Sequence, residues 1–258
     1  MTTALIPGAD PWSHVAAHAS DAEAPGALIL HGFTGNPGSM RGLAEAFVAA
    51  GFHVEMPRLP GHGTTVEDML VTRWADWHAE AEAALRRLQS RTSNVVVAGL
   101  SMGGALTLRL GADHPDIAGL VTVNPATQKM TDDVLAVIND TLASGVEVFP
   151  SIGSDIADPD QHESAYEATP LRALLSLVHD GLAPLELTYP TTMMPLLLLN
   201  SPNDHVVDPV QAEFLANAYG GPVERVTLGR SFHVATQDYD AALVNQSAID
   251  FARRVTGR

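Results

Sequence analysis

Asn94-Val95-Val96-Val97-Ala98-Gly99-Leu100-Ser101-Met102-Gly103-Gly104 is the stretch on which the fold turns. Its first half is β-branched without polar alternation, the pattern of a strand buried on both faces. Its second half opens a helical pattern, Met102 to Ala112, so a serine stands at the bend between strand and helix. Side chains two residues to either side of such a bend would collide with the strand and the helix. Glycine fills both places, Gly99 and Gly103, and Gly104 extends the permissive stretch. G-x-S-x-G in a strand–turn–helix setting lifts the serine hydroxyl onto a sharp turn, which makes Ser101 the candidate nucleophile.

Outward from the bend the same rhythm repeats. Ala27 to Leu30, Phe52 to Met56, Gly119 to Val123, Pro195 to Asn200 and Val223 to Leu228 read as short apolar strands. Between them lie helical patterns: Ser39 to Gly51, with Met40, Leu43 and Phe47 on one face, and Trp74 to Arg91, striped by Trp77, Ala81, Leu85 and Leu88. Tyr239 to Val255 closes the chain with a further helix. Apolar strands alternating with helices imply a doubly wound, mostly parallel sheet. From Asn124 to Pro190 no parallel strand is evident, and helical pieces such as Asp132 to Ser144 and Leu171 to His179 appear instead. A structureless loop of that length is improbable inside a compact domain, so residues 124–190 read as a helical insertion.

A serine hydroxyl needs a base, and a strand–turn–helix nucleophile orders its partners Ser, Asp, His along the chain. His233 follows the last strand, at the sheet edge where loops gather. The competing histidines are less well placed: His31 precedes the serine, His62 lies in a glycine-flanked turn, His205 adjoins the acid and His78 sits mid-helix. The acid follows the next-to-last strand. Asp204 stands where a carboxylate can fix the imidazole tautomer, while its rival Asp208 precedes Pro209 and looks like a helix-start residue. Two backbone N–H groups are expected to hold the developing oxyanion. They are those of Met102, at a helix N-terminus, and of Phe33, in the loop His31-Gly-Phe-Thr-Gly35.

Composition excludes several classes. With 30 acidic and 14 basic residues the net charge is −16, and Lys129 is the one lysine. Such a surface repels phosphate backbones and anionic headgroups, so no nucleic-acid partner is expected, and at most a transient contact with lipid surfaces. No run approaches the roughly 20 apolar residues of a membrane span, and Met1 to Trp12 does not read as a secretory signal, so a cytoplasmic location is expected. The absence of cysteine removes thiolate catalysis, disulfides and thiolate metal ligands. Asp and His residues show no metal-ligand spacing, and neither a P-loop nor a dinucleotide fingerprint is present, so no metal or cofactor is expected.

His31-Gly-Phe-Thr-Gly35, Pro57-Arg-Leu-Pro-Gly-His-Gly63, Gly99-Leu-Ser-Met-Gly103, Asp204-His-Val-Val207 and His233-Val-Ala-Thr-Gln-Asp-Tyr239 together resemble the bacterial monoacylglycerol lipase and carboxylesterase group of the α/β-hydrolase superfamily. Ser151-Ile-Gly-Ser-Asp155 and Ala165-Tyr-Glu-Ala-Thr-Pro170 are similar to the cap of those enzymes. The resemblance implies a core of about eight strands, residues 1–123 and 191–258, with a small cap, 124–190, over the active site. It implies Ser101, Asp204 and His233 as the triad, and Phe33 and Met102 as oxyanion donors. It further implies hydrolysis of a medium- to long-chain monoester through an acyl-enzyme. In such an enzyme Val134, Ile138, Leu142 and Ile152 would line an acyl tunnel, and Glu163 would accept from glycerol hydroxyls. A thioesterase, carbon–carbon hydrolase, perhydrolase or acyltransferase on the same scaffold is the alternative, and a non-catalytic binding protein a more distant one.

Overall fold

The protein is described by a computed structural model that covers residues 4–17, 24–151 and 153–258. The sheet strands are β1 (Trp12–His14), β2 (Gly26–Leu30), β3 (His53–Met56), β4 (Val95–Leu100) and β5 (Gly119–Val123). An insertion then carries the hairpin strands β6 (Val148–Pro150) and β7 (Ala168–Pro170), before β8 (Leu196–Asn200) and β9 (Val223–Thr227) complete the sheet. The helices are α1 (Arg41–Ala49), α2 (Val66–Leu70), α3 (Trp74–Gln89), α4 (Met102–Asp113), α5 (Asp132–Ala143), α6 (Leu171–Ser176), α7 (Ala183–Glu186), α8 (Val210–Ala218) and α9 (Ala241–Thr256).

The main sheet runs in the order β1-β3-β2-β4-β5-β8-β9, and every pair is parallel except β1 with β3. Among the described residues it has seven strands where the resemblance implies about eight. It ends at β1, a three-residue edge whose Ser13 hydroxyl donates to Glu55 at 2.5 Å and whose Trp12 ring is covered by the Arg41 guanidinium at 4.6 Å.

Both faces of the central strands are apolar, and each face finds its own helices. Leu28, Leu30, Val95, Val97, Leu120, Leu196 and Leu198 pack with Trp77, Leu85 and Leu88 of α3, Leu106 and Leu110 of α4 and Leu215 of α8. Ala27, Ile29, Val96, Ala98, Val121, Leu197 and Leu199 pack with Leu43 and Phe47 of α1 and Val244, Ala248 and Phe251 of α9. Each Leu or Phe so buried favours the fold by about 1.5–3 kcal/mol.

Between β5 and β8 the chain forms α5, the β6–β7 hairpin and α6, which runs on as a π-helical turn, Leu177–Leu182. Thr131 caps α5 through Val134 N–H, with Asp132 and Asp133 in the first turn against the positive end of the helix dipole. Gly181 lies against the Trp74 ring, where an added Cβ would come within 2.7 Å of Cε3, and this close approach seats the insertion on α3. The loops after β2, β4, β5, β8 and β9 all leave the carboxyl edge of the sheet, where the site is built.

Candidate active site

Ser101 sits between β4 and α4 at φ 55°, ψ −117°, a conformation that costs an L-residue about 1–3 kcal/mol. The surrounding geometry enforces it. Ser101 N–H donates to Val123 O at 3.0 Å, and Ser101 O accepts from Ala126 N–H at 3.2 Å. A Cβ added at Gly99 would stand 2.1 Å from Gly103 O, and one at Gly103 would stand 2.2 Å from Leu30 O. The expectation that these glycines clear the bend is thereby met in atomic terms.

His233, in the loop after β9, meets Asp204, in the loop after β8, with 2.8 Å between Nδ1 and Oδ2. The Asp204 side chain is 2% exposed, so its charge needs further partners. It has them: Oδ1 accepts Val206 N–H at 2.8 Å and Val207 N–H at 2.9 Å. A carboxylate held this way accepts from Nδ1–H and leaves Nε2 free to take a proton. Asp208 instead accepts Val210 N–H at 2.9 Å and opens α8, as its place before Pro209 suggests. The His205 ring bonds Asp155 at 2.8 Å and not Asp204.

Ser101 and His233 open onto one cavity of about 240 Å³, whose wall includes Phe33, Met130, Asp155, Glu163, Leu174 and Val206. Met102 begins α4, where the first N–H groups have no partner within the helix. Phe33 also lines the cavity, in the loop after β2 that packs beside Ser101, its ring edge-on to Trp77 at 5.7 Å and to His62 at 6.4 Å. His31 anchors the same loop, with Nδ1 donating to Gly32 O at 2.9 Å and Nε2 accepting Leu59 N–H at 3.1 Å. Burial holds the His31 imidazole well below its ordinary value and lowers that of His62 to about 4, so both are neutral supports at neutral pH.

The insertion supplies the opposite wall. Glu163 faces the cavity directly above the first loop, and a Cβ on Gly35 would lie 2.8 Å from its Oε1. Burial pushes the Glu163 carboxyl up to about 6, with the nearby His233 pulling the other way. Tyr166 clamps the segment down: its hydroxyl donates to Gly61 O at 2.8 Å, and its N–H donates to Thr34 O at 3.1 Å. Val134 and Ile138 line a neighbouring apolar groove of about 410 Å³, not the cavity itself, and the two spaces share Met130 and Leu174. Leu142 lines neither: it stands one turn beyond Ile138, in the last turn of α5, past the end of the groove lining. Ile152 lies outside the described residues. Lys129, next to Met130, holds an exposed amine, while its own N–H donates to Glu186 Oε1 at 2.6 Å.

Sequence reasoning missed Asn124. At φ 43° just past β5, its Nδ2 donates to His233 O at 2.7 Å and to Ser201 Oγ at 3.0 Å, and its Oδ1 accepts Ser201 N–H at 2.7 Å. It thereby ties the acid loop to the base loop. Sequence spacing also concealed a grouping of His78, Glu82 and Asp113, whose donor atoms lie within 4.8 Å of one another. Arg109 is seated on Asp113 at 2.7 Å and His114 on Glu82 at 2.5 Å, so the group reads as an ion-pair network between α3 and α4.

The model of the family described as "Serine aminopeptidase, S33" matches residues 25–239. A thermostable monoacylglycerol lipase of Bacillus sp. (strain H-257) is 41% identical over 235 residues, 90% of this chain and 92% of that protein. A carboxylesterase of Bacillus subtilis (strain 168) is 26% identical over 233 residues, 88% of this chain and 92% of that one. A solved structure from the LipS and LipT pair of metagenome-derived lipolytic enzymes superposes with TM-score 0.90 at 38% identity, covering 97% of this chain and 100% of that chain. A Paleococcus ferrophilus monoacylglycerol lipase shares the fold, with TM-score 0.72 at 17% identity over 90% of this chain and 96% of that one. Fold, motif geometry and likeness agree: the chain belongs to the Serine aminopeptidase, S33 family and, within the α/β-hydrolase superfamily, to the bacterial monoacylglycerol lipase and carboxylesterase group.

Proposed function

We propose that this chain is a serine esterase that hydrolyses monoacylglycerols or similar medium- to long-chain monoesters, with Ser101 as nucleophile, His233 as general base and acid, and Asp204 as its orienting carboxylate. Ser101 Oγ attacks the ester carbonyl while His233 Nε2 takes its proton. The backbone N–H groups of Phe33 and Met102 hold the oxyanion, an interaction worth about 3 kcal/mol per donor in the transition state. His233 then protonates the departing alcohol, and water repeats the cycle on the acyl-enzyme to release the fatty acid. Residues 124–190 act as a cap on a core of residues 1–123 and 191–258. Within that cap Glu163 receives the glycerol hydroxyls.

The observation that carries this reading is the Asp204–His233 bond of 2.8 Å opening onto the cavity that also holds a strained Ser101. Apolar Met130 and Leu174 facing a buried carboxylate support an amphipathic ester as the substrate. The test is a rate profile over monoolein, triolein, an acyl-CoA and an aminoacyl p-nitroanilide, with Ser101→Ala as control. Preference for monoolein, with at least a thousandfold loss in Ser101→Ala, is expected. Faster turnover of the acyl-CoA or of the anilide would replace the substrate assignment, and full activity in Ser101→Ala would remove the nucleophile.

A further inference from the structure

The insertion reaches the reacting groups through one carboxylate that the mechanism above does not use. Asp155 is 8% exposed, and its Oδ2 accepts two main-chain N–H groups at 3.1 Å each, those of His233 and of His205. Its Oδ1 bonds the His205 ring at 2.8 Å, and its own carbonyl accepts Val234 N–H at 3.1 Å. One residue of the insertion therefore grips the peptide that carries the imidazole and the peptide that follows Asp204. From the other side Asn124 donates to His233 O at 2.7 Å, so the His233 residue is held at both its N–H and its carbonyl.

The grip is returned. Asp238, five residues beyond His233, accepts Ala157 N–H at 2.8 Å and Asp158 N–H at 3.1 Å from the insertion, and Phe232 N–H at 2.9 Å from its own loop. Each partner thus lends a carboxylate to the other's main chain. Hydrogen bonds to an ionised acceptor are roughly twice as strong as neutral ones, and a buried carboxylate with both oxygens engaged resists displacement.

We propose that Asp155 is a positioning residue for the hydrolytic centre: by holding the N–H groups of His233 and His205 it sets the Asp204–His233 pair, so the insertion completes the base as well as walling the substrate cavity. Asp155 acts on the chemistry through His233, with no bond to the substrate required. The inference rests on the triad reading given above.

The experiment compares Asp155→Ala, Asp155→Asn and Asp155→Glu with Ser101→Ala, on p-nitrophenyl acetate, which is too small to need the insertion's walls, and on monoolein. A misplacement of about 1 Å costs on the order of a hundredfold, so kcat on the acetate should fall by about that factor in Asp155→Ala while KM stays within about threefold. Asp155→Asn keeps an oxygen for the same two N–H groups and should recover to within about tenfold of the parent. Asp155→Glu keeps the charge but moves the oxygens by one methylene, so it should lose at least about tenfold in kcat, and it serves if the alanine variant does not fold. Unchanged kcat on the acetate in Asp155→Ala or Asp155→Glu, with only KM for monoolein raised, would reduce Asp155 to a wall residue and overturn the inference. Equal damage in the asparagine and alanine variants would do the same. Full activity in Ser101→Ala would bring down the triad reading and this inference together, whereas an inactive Ser101→Ala beside a fully active Asp155→Ala sinks the inference alone.

Discussion

At the level of single residues, two buried groups tie protonation to behaviour. Glu163 titrates near 6 inside the cavity, where its ionised form is the better acceptor for a glycerol hydroxyl. Hydrogen bonds to a charged group contribute about 1.5–3 kcal/mol, so Glu163→Gln should raise KM for monoolein about tenfold or more and leave KM for p-nitrophenyl butyrate unchanged. In the parent enzyme the ratio of the two KM values should climb as pH falls through about 6, and in the variant it should stay flat. His62 acts on stability. In the unfolded chain it takes up a proton near 6.5, while in the folded protein it does so only near 4, so acid favours unfolding. Its full contribution is present above pH 6.5 and is lost as pH falls toward 4, a change of about 3 kcal/mol. Urea midpoints at pH 7.5 and 5.0 should separate widely for the parent and less for His62→Gln. Ser101, Asp204 and His233 were legible because each follows a strand end and carries a local mark: a glycine pair, a loop after an apolar run, a position past the last strand. Asn124 was not, because its side-chain partners lie 77 and 109 residues away and only the folded sheet edge brings them together.

At the level of elements, α1, α3, α4, α9 and the parallel strands of the core were readable from periodicity, since burial on both faces leaves near-continuous apolar runs. What escaped were α8, of which only a helix start before Pro209 was read, the short helices α2 and α7, and three strands of three residues. β1 pairs on one side only, and β6 and β7, both of which end in proline, pair across the intervening residues of the insertion. Segments that short show no alternation. Side-chain direction on α5 was also beyond periodicity, because the helix has two apolar margins and the sequence does not say which one meets the substrate. The structure sends Val134, Val137 and Ile138 to the groove that shares Met130 and Leu174 with the cavity. An acyl chain that uses both spaces has to pass these two side chains. In Leu174→Trp a larger ring closes that passage and denies the chain two or three methylenes at about 0.8 kcal/mol each. The kcat/KM for monoolein should fall between tenfold and a hundredfold, while p-nitrophenyl acetate hydrolysis should not change. An equal loss on both esters would show that no chain passes there.

For the molecule as a whole, two features oppose each other at a lipid surface. The groove beside the cavity is apolar and has exposed Val134 and Val137 on its rim, yet the protein carries a net charge of −16. No helix among the described residues is long and apolar enough to cross a membrane. Sedimentation with vesicles should therefore find weaker association with phosphatidylserine-containing bilayers than with pure phosphatidylcholine, and added salt should narrow the gap, because repulsion is screened within about 10 Å at 0.1 M. Stronger binding to the anionic bilayer at low salt would point to a local cationic contact that the overall charge conceals. One such charge is that of Lys129, whose amine has Asp132 at 3.9 Å: it offers the single side-chain primary amine in the chain, exposed and adjacent to the Met130 that borders both cavity and groove. Amine-directed coupling therefore has one side-chain address on this protein. A resin joined there would hold the enzyme mouth-first and throttle its supply of substrate, whereas a small dye at the same nitrogen would sit where it senses the entry of a fatty chain.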